Sequence, residues 1–320
     1  MTWPSKLFGP SGVLVVLVGV LAAIALLFAL GSITPRRFRN KAAVLIFAGP
    51  ALLFITVGLI IPAIRTLLFS FKGSQSQSWV GWANYSWVWN DPDIRVVLRN
   101  TVLWIAIAPA VATGAGLGLA VLIDKMKRES IPKSLIFAPM AVSFVGASII
   151  WGLVYQHDQT GLLTAIVKDL GWKNPPFWLL WKPWNNLLLM VILVWIETGF
   201  AMVLLSAAIK GIPTDVIEAA ELDGATGWRQ FTDVTIPMIR PTLVVVLTTI
   251  VIATLKLFDI IAATTGGNYN TSVLSYEMYN QTFVIRNIGR GAALAIILFI
   301  GVSPVLLYNI RVLRRERTIR

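Results

Sequence analysis

The chain contains no cysteine and a single histidine, His157. It therefore has no disulfide framework, no thiolate nucleophile and no Cys-based metal site. One imidazole excludes a His-rich metal centre. Charge is also scarce: Asp, Glu, Lys and Arg make up 13% of the 320 residues, about half the share of an average soluble domain. That is too little polar surface to coat a water-soluble globule. An ordinary soluble enzyme, a disordered chain and a secreted disulfide scaffold are all excluded. So is self-supplied ATP hydrolysis of the P-loop kind, since the dipeptide Gly-Lys never occurs. No HExxH, GxSxG or pair of catalytic carboxylates is present. What is abundant is apolar: 57% of residues are hydrophobic and the mean hydropathy is +0.76. This is the composition of a multi-spanning membrane protein.

Seven stretches are apolar and long enough to cross a hydrocarbon core of about 30 Å, which takes roughly 20 helical residues. They run over 12–31, 43–66, 101–123, 134–155, 187–209, 241–263 and 291–310. The expected fold is all-α, because a helix satisfies its backbone polar groups within one segment.

The net charge of +12 would suit nucleic-acid binding, but the placement of the charges points elsewhere. The loops 32–42, 124–133, 210–240 and 311–320 hold 16 Lys and Arg; the loops 1–11, 67–100, 156–186 and 264–290 hold nine; Arg65 and Lys256 lie within spans and complete the 27. Basic residues accumulate on the cytoplasmic side, so the first set is read as inner, with the N-terminus outside and the C-terminus inside. Tryptophan agrees. Trp79, Trp82, Trp87, Trp89, Trp172, Trp178, Trp181 and Trp184 fall in the outer loops, and only Trp228 in an inner one. The first span has the reverse polarity of a cleaved signal, so 1–42 is read as a retained anchor and basic linker and 43–320 as the core. The third span carries Ala106, Ala110, Gly114 and Gly118 at spacing four, a stripe that would let another helix approach closely.

The longest inner loop, 210–240, is not a plain connector. Pro213 sits where a helix starts, and Thr214 or Asp215 is placed to cap it. Asp215–Asp223 is helix-forming, with Val216, Ala219 and Ala220 on one face beside Glu218 and Glu221. Gly224 stops it. A second short helix is expected over 226–233. A short helix across the inner surface is suited to a groove in a partner protein.

The order Glu218-Ala219-Ala220, three residues, Gly224, nine residues, then Val234-Thr235-Ile236-Pro237 resembles the EAA motif of ABC-importer permease subunits. That motif reads EAA-x3-G-x9-I-x-L-P, with Val234 here in place of its Ile and Ile236 in place of its Leu. The segments 79–101, 257–283 and 289–299 are similar to maltose-type carbohydrate permeases. Within that branch, 134–155 and 184–213 look most like α-glucoside permeases. The resemblance implies a transport subunit rather than an enzyme, sitting in a bacterial or archaeal plasma membrane. It implies a second permease subunit, a dimer of ATPase subunits that carries the ATP and Mg, and an extracytoplasmic solute-binding protein. No cofactor is implied on this chain. It further implies that Glu218, Ala219, Ala220, Asp223, Gly224 and Pro237 belong to the segment docked on the ATPase, with Glu218 paired to a basic group there.

Ionisable groups inside spans are costly and tend to face cavities or pair. Glu197, Lys256 and Asp259 stand out. Lys256 and Asp259 are three apart, which on one helix places them on one face, as a structural ion pair or as a polar wall for sugar hydroxyls. By the same resemblance Glu197, Phe200 and Lys256 fall at substrate-facing positions. Thr198 and Thr254 are further hydroxyl candidates. The expected cargo is a di- or oligosaccharide, α-glucosides such as maltose or trehalose first. A glycerol-3-phosphate or polyol importer is one alternative, and an ion-coupled secondary transporter, which would leave the 210–240 loop without a role, is another.

Overall fold

The computed structural model describes residues 48–158 and 160–319, with side chains as far as Asn309 and at Arg311. The expected first span, 12–31, the 1–42 anchor segment and the basic side chains at 314–320 lie outside the described residues. Among those described, secondary structure is helical apart from one isolated bridge between Lys72 and Trp79. The chain divides into two units at Thr66/Leu67. Helix α1, Ala48–Phe69, starts in the first and contains a π turn at Thr56–Ile60. Everything described below belongs to the second.

That unit contains four long helices. Helix α2, Ala83–Asn90, leads into α3, Pro92–Ile123. The Asp91 side chain caps α3 by accepting from the amides of Asp93 and Ile94, which fixes where it begins. The segment 134–155 is not one straight helix. It forms α4, Ser130–Phe137, and α5, Phe144–Val154, bent by 104°. A 3-10 turn at Ala138–Ala141 carries Pro139, which has no N–H to continue the ladder, and Ser143 then restarts the chain by capping the Gly146 amide at 3.1 Å. Helix α6, Leu162–Asp169, precedes α7, Trp184–Lys210. Helix α8, Thr214–Leu222, is followed by α9, Trp228–Leu255, the short α10, Asp259–Ala263, α11, Leu274–Tyr279 with a π turn at Asn280–Val284, and α12, Ile288–Ile319. Among the described residues, α1 included, five helices are long and apolar enough to cross a membrane, or six if the bent pair counts as one span.

Helices α3 and α7 run side by side in the same direction, from Trp104 beside Asn186 to Asp124 beside Ser206. Between those ends the contact is made by Ala108, Ala112, Gly116 and Ala120, all buried. A Cβ on Gly116 would sit 2.5 Å from Ala201 Cβ and 2.8 Å from the Met202 amide nitrogen. The packed stripe is therefore displaced by two residues from Ala106, Ala110, Gly114 and Gly118. Those four are exposed, with open space around both glycines. Helix α4 crosses α7 at Gly199, where an added Cβ would meet the Ile136 carbonyl oxygen at 2.5 Å. Apolar clusters fill the rest: Trp104, Leu189, Ile192, Leu193, Ile260 and Ile261 towards one end of the bundle, and Met202, Leu205, Ile239, Val246 and Ile250 towards the other.

Candidate functional site: the exposed loop helix and its anchorage

Helix α8 hangs from the end of α7 by Gly211, Ile212 and Pro213. Its first residue is Thr214, as Pro213 dictates, but no side chain caps it. The stop is as expected. Gly224 adopts φ +81°, its amide reaches the Glu221 carbonyl at 3.0 Å, and the Ala225 amide reaches the Ala220 carbonyl at 2.9 Å. This closure uses up carbonyls that a helix end otherwise leaves bare, and its left-handed residue is tolerated by glycine. Beyond Gly227 the chain does not form a separate short helix over 226–233. It enters α9 directly at Trp228 and continues through a π turn at Phe231–Thr235 and past Pro237 and Pro241. Pro237 falls in the first turn of the α-helical stretch Ile236–Leu255 that follows the π turn. Gln230 Nε2 donates to Glu221 Oε1 at 3.2 Å and holds α8 to the foot of α9.

Glu218, Ala219, Asp223, Gly224 and Pro237 are exposed, and Ala220 is half-buried. Leu222 of this helix, which sequence reasoning did not single out, is 89% exposed, and Trp228, the first residue of α9, is 76% exposed. A groove of about 620 Å3 opens next to it, between the end of α3 and the foot of α9, lined by Gly118, Leu122, Ile209, Trp228 and Phe231 among others.

The root of α8 is tied down by charge. Lys133 Nζ lies 2.6 Å from Asp124 Oδ1 and 2.9 Å from Glu129 Oε2, and donates to Ser206 Oγ at 2.6 Å. The Ser206 hydroxyl in turn donates to Asp124 at 2.7 Å. Glu129 also pairs with Lys210, the last residue of α7. One lysine and one glutamate thus join the end of α3, the start of α4 and the end of α7, one turn before the exposed helix begins. Bonds from Lys133 and Lys210 hold the Glu129 carboxyl down at about 2. No motif announces this clamp. The charges at the span ends are visible in the sequence and Glu129–Lys133 is a local i,i+4 pair, but the bonds that tie them to Ser206 and Lys210 of α7 join residues 73 to 82 apart.

The membrane-interior candidates are only partly brought together. Glu197 and Phe200 lie on α7 on either side of the Gly199 crossing, both partly buried, and Phe200 packs against the Met202–Ile250 cluster. Thr198 and Thr254 each donate to the carbonyl one turn back, to Val194 at 2.6 Å and Ile250 at 2.8 Å, so their hydroxyl protons are already used. The Lys256–Asp259 reading needs correction. The helix ends at Leu255, Lys256 leaves it with ψ +6°, and Asp259 opens the separate α10. The two residues do not share a helix face, and among the described residues no ion pair includes either of them or Glu197. Lys256 is exposed and lines a cavity of about 300 Å3 with Leu298, Phe299, Val302 and Leu306 of α12.

At the far end of the bundle neutral amides do the fastening. Asn100 Nδ2 donates to the carbonyls of Asn270 at 2.6 Å and Ser272 at 3.0 Å. Asn186 reaches Asn270 at 3.0 Å, and Asn185 reaches Tyr269 at 2.9 Å. Thr101 Oγ1 accepts from the Leu274 amide. Trp178, one of the outer-loop tryptophans, is buried and donates to Thr164 Oγ1.

A bundle of long apolar helices with a short exposed helix at one end is the architecture of a polytopic membrane component. Residues 113–318 match the family described as binding-protein-dependent transport system inner membrane component, and the chain belongs to that family. It is 47% identical over 279 residues to the osmoprotective compounds uptake permease protein GgtC of Synechocystis, covering 86% of this chain and all of that one. It is 44% identical over 294 residues to the alpha-glucoside transport system permease protein AglF of Rhizobium meliloti, covering 89% of this chain and 87% of the relative. The fold is shared with a crystal structure of a bacterial ABC transporter that imports alginate, with a TM-score of 0.75, 20% identity, and coverage of 88% of this chain and 98% of that one.

Proposed function

We propose that the chain is a permease subunit of a binding-protein-dependent ABC importer for a small polyhydroxylated solute, with α-glucosides such as maltose or trehalose as the first candidates. A second permease completes the pore. ATP and Mg are held by a separate pair of ATPase subunits at the end that carries α8, which faces the cytoplasm, and a solute-binding protein delivers cargo at the opposite end. The observation that carries the reading is α8 itself: an exposed helix with the EAA spacing, capped by Gly224 and rooted in the Lys133–Glu129–Lys210 clamp. Closure of the ATPases moves α8, and the clamp passes that movement to α3, α4 and α7 together, so the bundle swings as a body. Glu197 and Phe200 face the solute, one as hydrogen-bond acceptor and one as a stacking surface for a sugar ring.

An osmoprotective solute is the second cargo reading, favoured by the 47% identity to GgtC. A phosphorylated solute calls for more cations along the path than Lys256. An ion-coupled carrier would leave α8 without a task.

The test is uptake into proteoliposomes holding this chain, its partner permease, the ATPases and the binding protein, assayed with maltose, trehalose and an osmoprotectant. Uptake should require ATP and survive an ionophore. Glu218→Lys should leave the protein in the membrane and abolish uptake while ATP is still hydrolysed. Uptake that collapses with an ionophore alone, or normal transport by the Glu218 variant, defeats the reading.

A further inference from the structure

A cavity of about 390 Å3 at the end opposite α8 is built from groups that the transport cycle outlined above leaves unused. It opens between the start of α3, the α11 turn and the start of α12. Glu277 and Gln281 line it and are 9% and 5% exposed. Gln281 Nε2 donates to Glu277 Oε1 at 2.8 Å. The Gln281 Oε1 atom is buried and has no partner. The other contacts of the Glu277 carboxylate are long, from Ser272 Oγ and Asn280 Nδ2, both at 3.4 Å. Among the described residues no Lys or Arg lies within ion-pair distance of it. Arg290 borders the same cavity, but its guanidinium lies over the Trp87 ring, 4.3 Å from the centroid. Asp93 adds an exposed carboxylate at the rim.

A carboxylate presents about four acceptor sites, and one that is nine-tenths buried is costly unless a positive group shares its site. The cavity therefore holds surplus acceptors and surplus negative charge. Its occupant must bring donors and positive charge. A bound metal ion does not fit, since no three acidic or imidazole side chains converge among the described residues. A sugar fits less well, because the Trp87 N–H is committed to Asp91 at 2.9 Å and one ring face is taken by Arg290. A guanidinium suits both the carboxylate and the free Gln281 oxygen, with its donors in a planar fork.

We infer that this cavity receives a basic side chain, an arginine first, presented by the solute-binding protein that docks on this end. The inference rests on the importer reading, which makes this end the outer one.

The experiment uses the assembled complex in nanodiscs with its binding protein. The readout is the binding-protein concentration that half-saturates ATPase stimulation, measured at low and high salt. Glu277→Gln should raise it about tenfold and flatten its salt dependence, as loss of a docked ion pair does. Asp93→Lys changes an exposed rim position, leaves the buried network intact and should raise it by a smaller factor. A substitution scan of the binding protein's Arg and Lys should find one position whose effect is not additive with Glu277→Gln. Half-saturation unchanged in both variants, or additivity at every scanned position, overturns the inference even where the wild-type complex is stimulated normally. A wild-type complex that ignores the binding protein defeats the importer reading, and this inference with it.

Discussion

The two ends of the bundle are fastened by different chemistry. At the α8 end the joints are ion pairs between partly exposed side chains: Lys133 to Asp124 and Glu129, and Glu129 to Lys210. At the opposite end they are amide side chains, Asn100, Asn185 and Asn186, bonded to backbone carbonyls of the 269–272 loop. Neutral bonds in a buried site hold one geometry, because breaking any of them orphans a polar group. Charged side chains near water hold by attraction over a range of distances, and water takes up the slack. The joints at the α8 end thus tolerate displacement, and those at the far end hold one shape.

The largest effect should come from the far end. Asn100 is 1% exposed, and Asn100→Leu leaves the Ser272 carbonyl without this donor. Each buried polar group so orphaned costs about 1–3 kcal/mol. The variant should lose thermal stability in detergent by several degrees and assemble poorly. Unchanged melting would show that the amides are incidental, and the contrast between the two ends would fail.

Lys133→Met should act differently. The chain should still fold and assemble, but Asp124, whose side chain is only 11% exposed, loses its cation, and the clamp loses its centre. The expected outcome is ATP hydrolysis at a near-normal rate with fewer solutes moved per ATP, and a melting temperature that falls less than in Asn100→Leu. If Lys133→Met lowers stability and uptake in proportion, the clamp is structural only.

How much of this was legible in the sequence follows from which contacts are local. Helix α8, its start at Pro213 and its stop at Gly224 are set by neighbouring residues, and spacing reveals them. Breaks inside apolar runs are harder to see. The run 134–155 reads as one span, but Pro139 and the Ser143 cap bend it. The run 241–263 reads as one span, but its helix ends at Leu255 and separates Lys256 from Asp259. Hydropathy counts apolar residues and does not register where the helix ends. The small-residue stripe shows the same limit. Four-residue spacing picks out Ala106, Ala110, Gly114 and Gly118 and, equally, Ala108, Ala112, Gly116 and Ala120. Only the position of α7 decides that the second set is packed. Of the clamp, only the i,i+4 pair Glu129–Lys133 is local; its links to Ser206 and Lys210 join separate helices and were not legible.

The smallest expected effect concerns pH. The Glu129 carboxyl is held at about 2 against an ordinary 4.5. A carboxyl lowered in the folded state contributes stability that is complete above its unfolded value and is lost as pH falls from there through its folded value. For Glu129 the window runs from about 4.5 down to about 2. Between pH 5 and 8 the clamp is fully charged, so solute moved per ATP should be flat with pH as far as this group is concerned. Glu129→Gln at pH 7 should mimic, in part, the loosened coupling that acid alone would otherwise produce. The same variant should leave the Asn-fastened end untouched, with a stability loss well below that of Asn100→Leu. A wild-type coupling ratio that changes sharply between pH 5 and 8, and is flattened by Glu129→Gln, would mean that the glutamate titrates there and that the lysines do not hold it as the structure places them. The charged end would then be a sensor rather than a joint.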